Sequence, residues 1–100
     1  MSQKPETLFT NRVKVKLDAL PKCWYFKTQM IARLGIPDII GVINGQFFAF
    51  ELKVGKNKAT ELQRYVLEKI TKAGGFAQIV TPENVELTIE QLGRHLHSEV

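Results

Sequence analysis

In the stretch IIGVINGQFFAFELK, two apolar runs meet at Asn44-Gly45, and that dipeptide constrains the fold more than any other pair in the chain. A two-residue type I′ turn needs positive φ at both central positions. Asn and Gly tolerate this best, so Asn-Gly between apolar runs predicts a β-hairpin. The register follows from the turn. Ile43 faces Gln46, Val42 faces Phe47 and Ile40 faces Ala49; continuing, Asp38 faces Glu51. Directly opposed residues share a face, with Cβ atoms about 4.5–5.5 Å apart. Lys53 lies two residues beyond Glu51 and joins that face. The turn therefore gathers Asp38, Glu51 and Lys53 at the end of the sheet far from the turn itself.

Two carboxylates held opposite each other repel unless a cation sits between them or one takes a proton. A hard divalent ion with oxygen ligands is the natural remedy; Mg²⁺ commonly uses one or two carboxylates, waters and phosphate oxygens. Lys53 is not a ligand for such an ion, but it can hold a water or a phosphate oxygen beside it. The simpler alternative is a surface hairpin in which Glu51 pairs with Lys53 or another base and Asp38 caps a turn after Pro37. That alternative leaves unexplained why Phe50-Glu51-Leu52-Lys53 puts charge beside a buried strand, where acids are costly.

The remaining elements can be placed around the hairpin. Residues 5–20 read as a helix, with Pro5 and Glu6 suited to its first turn. Phe9, Val13, Leu17 and Leu20 recur at helical spacing, although Val13, Val15 and Leu17 also alternate as a strand would. Pro21 ends the element. Residues 24–29 are aromatic-rich and read as a strand. Residues 39–43 and 47–54 are the hairpin arms. Thr60-Glu61-Leu62-Gln63 fits a capping box, opening a helix whose apolar stripe is Leu62, Val66, Ile70 and Ala73. Gly74-Gly75 stops it. Residues 76–80 form a short strand. Thr81-Pro82 reads as the cap and first-turn proline of a last helix carrying Val85, Ile89, Leu92 and Leu96, with Thr88 as an alternative start. The order is αβββαβα. The long connection through the second helix makes the last strand parallel to the second hairpin arm. The expected fold class is α/β, a small mixed β-sheet flanked by helices, in one domain spanning residues 1–100.

The composition of the 100 residues is that of a globular protein, 44% hydrophobic and 24% charged, with no repeat, linker or disordered tract. The formal charge of +4 suits a polyanionic partner without requiring one. Cys23 is the one cysteine, so no intramolecular disulfide can form, and a reducing compartment is expected. MSQKPETLF lacks the apolar run of a signal peptide, and no apolar stretch is long enough to cross a membrane. A soluble, cytoplasmic protein is expected. The compact size would suit a phage-encoded protein acting in its host cell.

Gly35-Ile36-Pro37-Asp38, a hairpin, Phe50-Glu51-Leu52-Lys53 and a helix opening Thr-x-x-Gln resemble the PD-(D/E)XK nuclease superfamily. The nearest branch is the VRR-NUC domain in its small stand-alone form, which is similar to Holliday-junction resolvases. The resemblance runs over residues 6–80 and rests on Gly35 to Asp38, Glu51 to Lys53, Gln63 and Gly74-Gly75 in order. It implies a restriction-endonuclease-like αβββαβ core. It implies that Asp38, Glu51 and the backbone carbonyl of Leu52 bind Mg²⁺ or Mn²⁺, and that Lys53 orients the attacking water or stabilises growing charge. Gln63 would support the site from its helix, a role compatible with its place in the capping box. Glu6 matches an acid of the first helix that can reach the metal; its alternative is a first-turn acid favoured by the helix dipole.

The implied reaction is phosphodiester hydrolysis by a metal-dependent endodeoxyribonuclease, with branched DNA such as a Holliday junction as substrate. Lys56 and Lys58, in the loop before the second helix, are candidate DNA contacts, and Arg33, Lys27, Lys14 and Lys16 would widen the basic surface. Paired cuts at a two-fold symmetric junction favour a homodimer. The rival readings are a catalytically inactive nucleic-acid-binding module of the same fold, and a nickase or restriction-like nuclease of ordinary duplex. His95 and His97 read as the end of a helix rather than a metal site.

Overall fold

The computed structural model describes residues 4–28 and 34–97. Helix α1 (Pro5–Asp18) is followed by strands β1 (Cys23–Lys27), β2 (Ile39–Ile43) and β3 (Gln46–Leu52). Then come helix α2 (Glu61–Lys72), strand β4 (Phe76–Val80), helix α3 (Val85–Gly93) and a 3-10 turn (Arg94–His97). The four strands form one mixed sheet in the order β1-β2-β3-β4. The first two pairings are antiparallel, and β4 joins β3 in parallel. This is the α/β order expected from the sequence, with α2 as the crossover that a parallel neighbour requires.

Asn44 and Gly45 carry φ of 47° and 85°, and pairing runs without a bulge from Ile43↔Gln46 to Ile39↔Phe50. One face of the sheet, through Ile39, Ile43, Phe48, Phe50 and Val80, packs on Phe9, Val13 and Leu17 of α1 and on Val85 and Leu92 of α3. Helix α2 lies on the opposite face over β3 and β4. Gly41 pairs with Tyr25 of β1. A Cβ there would lie 2.8 Å from the Tyr25 Cα and run into the Trp24 carbonyl oxygen.

Several boundaries differ from the sequence reading. Helix α1 stops at Asp18, three residues before Pro21. Strand β1 is described to Lys27, and Gln29 lies outside the described residues. Helix α2 does not bury the stripe Leu62, Val66, Ile70 and Ala73. Its buried residues are Gln63 and Leu67, with Leu62 46% exposed. Gln63 faces inward because it bonds a buried strand residue, which turns Leu62 towards the side of the helix that meets Gly35. Thr81-Pro82 does not open α3, and neither does Thr88. The Thr81 amide donates to Asn84 Oδ1, and Asn84 Nδ2 donates to the Ile79 carbonyl. These bonds close a turn that delays the helix to Val85. Leu92 is buried and Ile89 partly so; the side chains of Leu96 and His97 lie outside the described residues. No described helix is long and apolar enough to cross a membrane.

Gly41→Ala should cost about 2–3 kcal/mol, the usual penalty of overpacking against backbone. That corresponds to a thermal midpoint lowered by about 10–20 °C for a domain of this size. Gly45→Ala, whose added Cβ meets nothing, should lose only the roughly 1–2 kcal/mol of a left-handed non-glycine residue. Circular-dichroism melts of the two variants side by side check the order.

Candidate active site

At the end of β3 the strand carries Glu51, which is only 2% exposed. An acid is tolerable there only if its oxygens are provided for. Gln63 Nε2 donates to Glu51 Oε2 at 2.9 Å, and Lys53 Nζ lies 3.3 Å from the same oxygen. Glu51 Oε1 is buried and accepts from nothing. The carboxylate therefore has one oxygen fully committed and one left bare.

Asp38 stands one step beyond the last β2–β3 pair, so it faces Glu51 at a close, non-hydrogen-bonded position of the ladder. Its Oδ2 accepts from the Leu52 amide at 2.8 Å. In a strand, the amide and carbonyl of one residue point to the same side. The Leu52 carbonyl is thus directed to the Asp38 side, away from β4, while the Lys53 amide bonds the Val80 carbonyl. Thr28 fixes the approach to Asp38. Its amide donates to the Asp38 carbonyl at 2.9 Å and its buried hydroxyl to the Pro37 carbonyl at 2.5 Å.

Gln63 joins this site to the start of α2. The Thr60 amide donates to Gln63 Oε1 at 2.8 Å, and the Gln63 amide donates to Thr60 Oγ1 at 3.1 Å. The capping box and the contact with Glu51 are therefore both present in one side chain. They also fix its orientation. The oxygen must face the Thr60 N–H, which can only donate, and this turns the NH₂ towards the Glu51 carboxyl.

Burial is the largest influence raising the Glu51 carboxyl, to about 7, and the Asp38 charge pushes the same way; Lys53 pulls against both. The two carboxyls can bond each other only through a shared proton, which favours the protonated form further. A proton or a cation is what the bare oxygen calls for. The donor set fits a hard divalent ion: two carboxylates, one of them with an unused buried oxygen, beside a directed backbone carbonyl. Among the described residues no three His, Cys, Asp or Glu side chains gather closely enough to hold a metal. An ion here would take its remaining ligands from water or substrate.

These groups line a cleft of about 270 Å³, with Glu6, Lys27 and Asn57 also on its wall. That volume suits a phosphate group with its waters rather than a large organic ligand. Glu6 is thus placed at the cleft but in no ligand set with Asp38 and Glu51. Lys56 and Lys58 are exposed on either side of Asn57 and do not line the cleft. Arg33 lies outside the described residues. Lys16 is engaged with Glu86 at 2.7 Å, as is Arg12 at 3.2 Å. His95 meets the Phe76 ring edge-on at 5.7 Å, in keeping with a structural role. Thr28 was not singled out by sequence. Its only signal is its place two residues past Phe26 on an aromatic strand. Set against protein-family models and curated proteins, the chain matches none.

The raised Glu51 carboxyl has a definite sign. The folded chain holds this proton up to about pH 7, whereas the free group, with an ordinary value of 4.5, releases it earlier. The metal-free protein should therefore lose stability as pH rises from about 4.5 to 7, by on the order of a few kcal/mol. Glu51→Gln should abolish that slope and be more stable than wild type at pH 8, because an amide can donate to Asp38. Urea unfolding in EDTA across this range checks both points. Affinity for Mg²⁺ or Mn²⁺, measured by calorimetry, should fall below pH 7 as the ion competes with the proton.

Proposed function

We propose that this protein is a divalent-metal-dependent endonuclease that hydrolyses phosphodiester bonds in DNA, with branched DNA as its substrate and a homodimer as its working form. The observation that carries the reading is the bare, buried Oε1 of Glu51 beside Asp38, with Lys53 within reach of both the carboxylate and the cleft. A charge pair of this kind weakens the apo fold, and phosphoryl-transfer chemistry supplies a use for it.

Asp38, Glu51 Oε1 and the Leu52 carbonyl would hold Mg²⁺ or Mn²⁺. The ion would supply a Lewis acid for the phosphoryl oxygen and a lowered pKa for the attacking water. Gln63 and Lys53 keep Oε2 occupied and so hold Oε1 towards the cleft. Glu51 would give up its proton on holding the ion. Lys53 Nζ lies where an ammonium group can stabilise negative charge growing on the phosphate. Lys27 and Asn57 on the wall can bind flanking phosphate oxygens, and Lys56 and Lys58 extend positive charge along the loop leading to α2. Such contacts read backbone and shape rather than sequence. Glu6, also on the cleft wall, can position a water.

The test uses labelled four-way junctions, flaps and linear duplex with Mg²⁺, Mn²⁺ or EDTA. Cleavage should need the metal. Asp38→Ala should lower the rate by at least about 10³-fold and Lys53→Ala by about 10²–10³-fold, the scale of losing one electrostatic stabiliser. Junction binding without cutting under either metal would instead identify a binding module. Equal cutting of duplex would remove the branched preference, and cutting that survives Asp38→Ala would refute the site.

A further inference from the structure

On the face of the sheet that carries Asp38 and Glu51, α2 packs on β3 and β4. The β1–β2 half stays open and presents two rows of side chains. Trp24, Val42 and Phe47 lie across the first row, and Phe26 and Ile40 across the second. Trp24 is 64% exposed, Phe26 45% and Phe47 40%. Rings grouped in water in this way mark a surface that meets a partner.

Lysines border the rings. Lys22, exposed at the start of β1, lines a shallow pocket with Trp24 and Val42. Lys14 of α1 and Lys27 line a second pocket with Trp24 and Phe26. That pocket follows the outer edge of β1, which has β2 alone beside it in the sheet. Among the described residues none of these three lysines forms a salt bridge. Asp18 also lines the second pocket, but its carboxylate accepts from the Tyr25 hydroxyl at 2.8 Å.

From this arrangement we infer that the open half-face binds an unpaired DNA strand, its bases stacked on Trp24 and Phe26 and its phosphates following Lys22, Lys14 and Lys27 along the edge of β1. Ring faces offered to successive bases, bordered by cations that track the backbone, are what single-strand binding requires. A protein partner with an apolar face would cover the rings and leave three cations unanswered; a nucleic-acid strand answers both. The Trp24 and Phe26 centroids lie 5.6 Å apart with the rings tilted by 48°. Bases within a duplex strand rise by only about 3.4 Å, so the two rings take one splayed base each and an intact duplex has no use for them. From Lys22 to Lys27 the strand runs about 17 Å at roughly 3.3 Å per residue, room for a few nucleotides. Lys27 also lines the cleft with Asp38, Glu51 and Lys53, so a strand laid along β1 would reach the cleft there. That delivery rests on the proposed nuclease activity; the binding surface does not.

Trp24 is the one tryptophan, so a base stacked on it is read directly as lost emission. Titration with a short oligothymidylate in EDTA at low salt should quench Trp24 to saturation, and a linear duplex of equal length should not. The affinity should fall with salt at a logarithmic slope of about −2, as three phosphate contacts on a single strand require, and Lys22→Gln should bring the slope to about −1.4. Trp24→Ala and Phe26→Ala, followed by the anisotropy of a labelled oligothymidylate, should each weaken binding about 5–150-fold, the loss of one stacked base. Trp24→Phe should keep most of the affinity. All three side chains are exposed, so far-ultraviolet circular dichroism should not change. No metal is present and no cutting is scored, so failure here leaves the nuclease reading standing, and failure to cut DNA leaves this surface standing. Absence of quenching would overturn the proposal, as would equal quenching by duplex or unchanged affinity in both alanine variants. A blue shift of Trp24 emission with rising protein concentration and no DNA, together with a doubled mass in sedimentation, would give the face to a second copy and overturn it too.

Discussion

A carboxylate that water cannot reach must have its charge answered locally, and the end of β3 is organised around that requirement at Glu51. One oxygen receives Gln63 and Lys53; the other receives nothing. Replacing such a group with an apolar residue commonly leaves a protein more stable. Its presence here is a cost to the apo fold, carried at a cleft wall. The strain is also local in its effects. It falls on protonation, on the choice of neighbours for β3, and on which face of α2 turns inward.

The same requirement links the helix to the sheet. Helix α2 buries few apolar side chains, chiefly Leu67, and is seated by a polar contact at its first turn. Gln63 satisfies an amide at the helix start and an oxygen at the strand end in one residue, so the cap and the site hold each other in place. Gly35, with φ of 76°, lets the segment leading to Asp38 press against Leu62 of the same turn. The two acids thus arrive from different strands, yet both are tied to the N-terminus of one helix.

Much of this was legible because it follows from local rules. Asn44-Gly45 sets the hairpin register, and the register puts Asp38, Glu51 and Lys53 on one face before any tertiary contact is known. Thr60 and Gln63 announce the helix start through capping chemistry. What could not be read depends on partners distant in sequence. The face that α2 buries is chosen by Glu51, not by its own apolar stripe. Asn84 delays α3 by bonding the carbonyl of Ile79, a contact that exists only once β4 is in place. Thr28 matters because β1 pairs with β2 so as to set it opposite Asp38, and no turn motif specifies that pairing. The aromatic content of β1 indicated a strand without indicating which of its rings would stay exposed.

These placements bear on how a chain of 100 residues can hold a polar cleft at all. Small domains have little apolar area to spare. Here α1 and α3 take almost the whole core on one face of the sheet, through Phe9, Val13, Leu17, Val85 and Leu92. The other face is left for chemistry and contacts. Helix α2 shields Glu51 there, and the aromatic rows on β1 and β2 remain open. A sheet with one fully packed face can tolerate a charged end and an uncovered half on the other, because its register is already fixed from behind. The division of labour between the two faces lets Glu51 be buried, under-bonded and still well placed.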